Sequence, residues 1–441
     1  MNKKTENKAV SPWQWVPSLY FAQGIPYVVV MSVAVILFKR MGMSNTDIAL
    51  YTSGLNLPWV IKPLWSPLVD LLKTKRWWIV VMQILVGAGL AGIALTIQGP
   101  LAFRYCLAFM WLLAFSSATH DIAADGFYML GLNEKKQAYF VGIRNTFYRF
   151  AVIFGQGILV MFAGWLEQRY AREMPETAAI PQAWSLTFYL LTILFALLFV
   201  YHYLFLPHPR RDTCTLPPQQ ASAGRVFKEF LGTFTSFFQK KHIVSALIFI
   251  LLYRFAEAQL VKITSPFLLD TPATGGLALS TAEVGFIYGT IGVIALTIGG
   301  IVGGIAMARR RLKSCLWTMT IAMNLPNIVY LYLSFARPES IGIISGCVAI
   351  EQFGYGFGFT SLTYFMMLFS NGKHQTAHYA ICTGFMALGL MLPGMISGWI
   401  EESIGYRAFF VWIMLCTIPS FWATHLVRKN LTDNHSDNSS R

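Results

Sequence analysis

Charge is scarce in this chain. Asp, Glu, Lys and Arg together make up 12% of its 441 residues, against 55% hydrophobic residues. A soluble domain of this size needs a charged surface, and this composition does not supply one. Acidic residues are scarcer than basic ones, 20 against 34. The basic excess sits mainly in short segments between apolar runs, with no aromatic and basic patch for bases to stack on, so no nucleic-acid partner is expected. Cysteine is sparse: Cys106, Cys214, Cys315, Cys347, Cys382 and Cys416 include no C-x-x-C pair. That spacing gives no zinc site and no disulfide framework. The sequence has no phosphate loop of the form G-x-x-x-x-G-K-S/T, no H-E-x-x-H and no G-x-S-x-G. ATP hydrolysis and the common hydrolase chemistries are therefore not expected, and neither is a cofactor or a metal. Residues 1–10 are polar and basic without a small-residue cleavage pattern, so the first apolar run reads as a retained helix.

What is abundant is apolar length. A helix crosses a bilayer in about 20 residues. Twelve such stretches are expected, at 15–38, 49–69, 77–97, 102–130, 138–165, 184–206, 243–268, 282–308, 314–335, 341–369, 376–400 and 409–427. With the N-terminus inside, the inner segments hold 22 of the 34 Lys and Arg and the outer loops hold 7. This bias places both termini in the cytoplasm. The longest inner connection is 207–242, basic and rich in Pro and Gln near its start. It divides the chain into a six-helix half at 1–206, a linker at 207–242, a second half at 243–427 and a polar tail at 428–441. The fold class expected is an all-α membrane protein with twelve transmembrane helices in two six-helix halves, the major facilitator architecture.

Nine charges fall well inside these stretches, away from their ends: Lys62, Asp121, Asp125, Arg144, Arg149, Arg254, Glu257, Lys262 and Glu351. Each costs about 2.5–3.5 kcal/mol at the bilayer centre on the lenient scale, so such groups face a protein interior or a wet cavity. Counting from the turn near Lys135, Asp125 and Arg144 sit at matched depth, and so do Asp121 and Arg149. Two ion pairs between helices 4 and 5 are therefore expected. Arg254 and Glu257 are three apart and can pair along one helical face. His120 adjoins the first acid. Gln23 lies in "FAQGIPY", where Gly24 and Pro26 can interrupt helix 1. Five cations against four anions suit an anionic small molecule. Asp121, Asp125, Glu257 and Glu351 are the carboxylates that could carry a proton. The runs "GGIVGG" and "GYGFGF" read as close helix packing or hinges.

Several words in the sequence resemble the AmpG family of muropeptide permeases. They are "SLYFAQGIPY" (18–27), "KPLWSPLVD" (62–70), "SSATHDIAADGF" (116–127), "LLYRFAEAQLVKITSPFLL" (251–269), "AEVGFIYGTIGVIA" (282–295) and "EQFGYGFGFTSL" (351–362). The resemblance implies a permease of the bacterial inner membrane, driven by the proton gradient. Its implied cargo is anhydro-muropeptides or related N-acetylmuramyl sugars. It matches Asp121, Asp125, Arg254, Glu257 and Glu351 to charged positions of the family. His120 stands where many members are expected to have Gln. Acetyl-CoA transporters are related, so another anion is the alternative cargo. A transporter-like receptor for wall fragments is a third reading. By fold analogy a monomer is expected, with lipid, protons and a small-molecule substrate as partners.

Overall fold

A computed structural model describes residues 11–209, 212, 232, 234–310, 312–372 and 375–431. Most of the expected linker and tail therefore lies outside the described residues. The described residues form helices joined by short turns. In the first half, α1 is Pro12–Arg40 and α2 is Asn45–Gly54 continued by Leu57–Leu72. They are followed by α3 (Lys75–Thr96), α4 (Ala102–Gly131), α5 (residues 134–170) and α6 (Glu176–Phe205). In the second half, α7 is Ile243–Leu252 and Phe255–Leu269, α8 Thr281–Arg309, α9 Leu312–Ala336 and α10 Ile341–Ser370. α11 spans residues 375–404 and α12 residues 406–430, joined through Gly405 at φ 75°. Outward-facing Leu95, Leu197, Ile301 and Ile418 are each more than half exposed. An apolar surface of that kind belongs in lipid, and this is a multi-pass membrane protein.

Local chemistry sets the helix starts. Ser44, Thr74 and Asn133 each accept a hydrogen bond from the backbone N–H three residues on, opening α2, α3 and α5. Ser280 and Glu283 form a reciprocal capping box at the start of α8. Three expectations are corrected. Helix 1 does not unwind at Gly24 and Pro26; it stays helical and widens to a π-turn at Val29–Val33. A π-bulge relieves a helix without exposing a loop. Helix 7 crosses as one span, Ile243–Leu269, but is not a continuous helix: it breaks at Arg254, whose φ −106° and ψ 21° are not helical. The expected outer loop around Arg407 shrinks to one glycine, which alone tolerates the left-handed turn.

Packing differs between the two ends of the bundle. At the end away from the termini, one apolar core runs through both halves. It joins Val33, Phe38 and Ile48 to Ile263, Phe267 and Phe410. At the termini end the core splits in two. Trp15, Leu19, Ile79 and Phe127 belong to the first half, and Phe249, Leu316, Leu362 and Met366 to the second.

Glycine makes the fused end possible. A Cβ on Gly289 of α8 would lie 2.0 Å from the Gln156 carbonyl of α5, and one on Gly164 would lie 2.3 Å from Ala282 N. A Cβ on Gly398 of α11 would lie 1.9 Å from the Asn45 carbonyl of α2. These backbones touch because no side chain intervenes. The glycine runs behave as expected: Gly299 abuts Phe353 O, Gly356 abuts Leu296 O and Gly354 abuts Ala322 O, locking α10 between α8 and α9.

Polar side chains also cross between halves at the fused end. Lys39 Nζ lies 2.6 Å from Asp270 Oδ1. Asn45 donates to Glu401 at 2.7 Å and to Tyr406 at 2.8 Å, and Thr281 donates to Glu167 at 2.7 Å. Thr46 N donates to Glu402 at 3.2 Å.

Candidate functional site: charged groups between the halves

Asp125 and Arg144 meet as their matched depth implies. Arg144 Nη1 is 3.3 Å from Asp125 Oδ1. Tyr20 of α1 joins them: its hydroxyl donates to Asp125 at 3.1 Å and accepts from Arg144 at 3.0 Å. The guanidinium also lies 4.7 Å from the Tyr20 ring and 5.2 Å from the Tyr128 ring. Face-on aromatic rings attract a partly desolvated cation.

Asp121 does not pair with Arg149. Its two oxygens accept from Lys62 of α2 and Gln23 of α1. Depth counting gives a residue's height but not its direction around the helix axis. Asp121 turns toward α1 and α2, where Lys62 and Gln23 reach it. Arg149 is left with no hydrogen bond or ion pair among the described residues. It lies within electrostatic reach of the hydroxyls of Tyr27, Tyr148 and Tyr355. Those three residues come from α1, α5 and α10, so Arg149 faces the gap between the halves.

The second half repeats the pattern with other residues. Arg254 Nε and Nη2 both sit 2.9 Å from Glu257 Oε2. Arg254 also donates to the Tyr355 hydroxyl at 2.7 Å and lies 5.1 Å from the Phe359 ring. The break in α7 serves this arrangement, because the arginine leaves the helix at the residue where its side chain turns to Glu257 and α10. Lys262 is buried at 2% exposure. Its ammonium has no hydrogen-bond or ion-pair partner among the described residues. Glu351, 3% exposed, has no cationic partner. Its Oε2 accepts from Tyr330 of α9 at 3.2 Å and from Gln352 at 3.0 Å.

His120 points elsewhere. One residue from Asp121 is about 100° around a helix, which turns its ring into the first half. There Gln83 bridges His120 Nε2 at 3.1 Å and His202 Nδ1 at 2.9 Å, and His202 Nε2 meets Ser18 Oγ at 3.0 Å. This network ties α1, α3, α4 and α6 together and fixes the rotation of α4. Gln83 and His202 gave no signal in the sequence, since a lone Gln or His on an apolar helix reads as any buried polar residue.

Three cations are thus neutralised in place: Lys62 by Asp121, Arg144 by Asp125 and Arg254 by Glu257. Arg149 and Lys262 are not. One lies in each half. Unpaired cations that are buried, as Lys262 is, or partly buried, as Arg149 is, favour an incoming anion, because the anion supplies the charge that desolvation removed.

Comparison with known proteins agrees with this architecture. The Major Facilitator Superfamily profile matches residues 18–378. The anhydromuropeptide permease of Escherichia coli K12 is 24% identical over 420 residues, covering 94% of this chain and 79% of that protein. A Rickettsia conorii relative bearing the AmpG name is 25% identical over 415 residues, covering 92% of this chain and 93% of its own. The crystal structure of the nucleoside transporter NupG superposes with a TM-score of 0.68 at 14% identity, covering 94% of this chain and 98% of that one. Twelve helices in two sets of six, with paired charges between them, and a profile match over most of the length carry one conclusion: this chain belongs to the Major Facilitator Superfamily, and within it resembles the AmpG permeases.

Proposed function

We propose that this chain imports anhydro-muropeptides or related N-acetylmuramyl sugars across the bacterial inner membrane, coupled to protons. In this reading it works as a monomer with both termini cytoplasmic. The observation that carries the reading is the apolar core, fused at one end and split at the other, with charges between. A path open to one side at a time is what alternating access requires. The name of the E. coli relative, an anhydromuropeptide permease, supports the cargo.

The chemistry follows from which charges are already matched. A wall fragment carries carboxylates, and Arg149 and Lys262 offer two unmatched cations to receive them. Its sugar rings present flat apolar faces, which Tyr27, Tyr148 and Tyr355 near Arg149 are suited to stack on. Binding across the gap draws the halves together at the split end. The paired arginines Arg144 and Arg254 keep their shape through hydrogen bonds to Tyr20 and Tyr355, so they hold the walls rather than compete for cargo.

Purified protein in liposomes tests the reading. With an imposed pH gradient, labelled anhydro-N-acetylmuramyl compounds should accumulate inside, and unlabelled wall fragments should compete. Competition by acetyl-CoA instead would reassign the cargo. Binding without flux would make the chain a receptor and overturn the transport reading.

A further inference from the structure

We propose that Glu351 is the group that carries the coupled proton, and that it holds that proton in the state described here. The inference rests on the proton-coupled reading above and selects among its four carboxylates.

The selection comes from partners. Asp121, Asp125 and Glu257 each have a cation within salt-bridge distance. A cation at that distance favours the charged form of a carboxylate. Glu351 has none of this. The groups that face it are Gln352 on its own helix, Tyr330 from α9, Tyr288 from α8 and Glu257 from α7. Arg254 is spent on Glu257 and Tyr355. The surroundings of Glu351 therefore hold hydroxyls, an amide and a carboxylate, but no free cation. An ionised carboxylate left alone in such a place costs several kcal/mol, and it neutralises by protonation instead.

The atoms fit a protonated acid. Both hydrogen bonds to Glu351 arrive at Oε2. Oε1 accepts none, so it is the oxygen free to take the proton. Loading forms one O–H bond at Oε1 from hydronium on the side away from the termini. Unloading breaks that bond to water on the termini side. Nothing is oxidised or reduced.

What changes between the two states is the neighbour. Glu257 interacts electrostatically with Glu351 and with the two cations Arg254 and Lys262. Cargo that engages Lys262 redistributes charge within this cluster, and that is how an anion in the gap is felt at Glu351.

The test uses the whole chain in liposomes, with an anhydro-N-acetylmuramyl probe in two assays. One is accumulation driven by a one-unit pH gradient. The other is exchange of labelled for unlabelled probe without a gradient. One proton per cargo gives the wild type about tenfold accumulation per pH unit. Absence of that accumulation in the wild type would reject the proton-coupled reading itself, before any variant is made. Glu351→Gln should keep exchange while its accumulation falls to unity. Asp125→Asn should lose both, because it frees Arg144. Accumulation by Glu351→Gln at the wild-type ratio would overturn the assignment, and so would loss of accumulation and exchange in equal measure by a folded Glu351→Gln protein.

Tyr330→Phe is the second variant, for the case where Glu351→Gln does not fold. It removes a donor that favours the ionised acid, so half-maximal uptake should move to higher pH. An unmoved pH profile would count against Glu351.

Discussion

The two ends of this bundle use the same kinds of helix to opposite effect. Away from the termini, backbone lies on backbone at Gly164, Gly289 and Gly398, and charges from both halves interlock around Asp270, Glu401 and Glu167. Toward the termini, each half closes on its own apolar core. The contrast appears in the ion pairs too. Asp125 and Arg144, nearer the split end, have side chains 39% and 26% exposed, whereas Glu257 and Arg254 have 6% and 9%. Access is thus decided by where the halves touch, since both halves contain well-packed helices throughout.

Tying the fused end shut should have the largest effect. Thr46→Cys with Glu402→Cys, bridged by a short bis-maleimide, should abolish uptake while leaving binding from the termini side intact. Uptake surviving a complete bridge would mean that this end never opens. Next comes the glycine seam. Gly289→Leu forces a side chain into the Gln156 carbonyl, so the fused end should part and uptake should drop by about tenfold or more. Fluorescence-detected gel filtration would confirm that the protein is intact.

Asp270→Asn is gentler. It weakens the acceptor for Lys39 and Tyr406. Interhelical hydrogen bonds in membranes contribute about 0.6 kcal/mol, with a maximum near ~1.7, so opening should increase about 3- to 18-fold. A cysteine at Thr46 labelled from the outside reports that change. The smallest effect is expected at Ser44→Ala, which removes the cap of α2. The cost is about 1 kcal/mol, a fall of roughly 1–2 °C in Tm for a chain this long, with uptake nearly unchanged.

Much of the architecture was legible because lipid imposes a plain rule on composition. The twelve helices follow from apolar length alone, and the pairing of Asp125 with Arg144 follows from counting residues to a shared turn. The pairing of Asp121 was misread because heights along a helix say nothing of azimuth, and Lys62 on a different helix could not be aligned by counting. The break at Arg254 has no glycine or proline to announce it; it is set by tertiary contacts with Glu257, Tyr355 and Phe359. The interlock of Lys39, Asp270, Glu401 and Tyr406 was hidden for another reason. Each lies at a span edge, where charge is ordinary, and only the folded chain brings them together.

The seam of bare backbone between α5 and α8 has a kinetic consequence. Long side chains that interdigitate must each change rotamer to separate and give up as much as ~2 kcal/mol of entropy to lock again. Glycines carry neither burden. Two such surfaces can part and rejoin as rigid faces, so the rate of each turnover is left to the few ionic contacts at the rim.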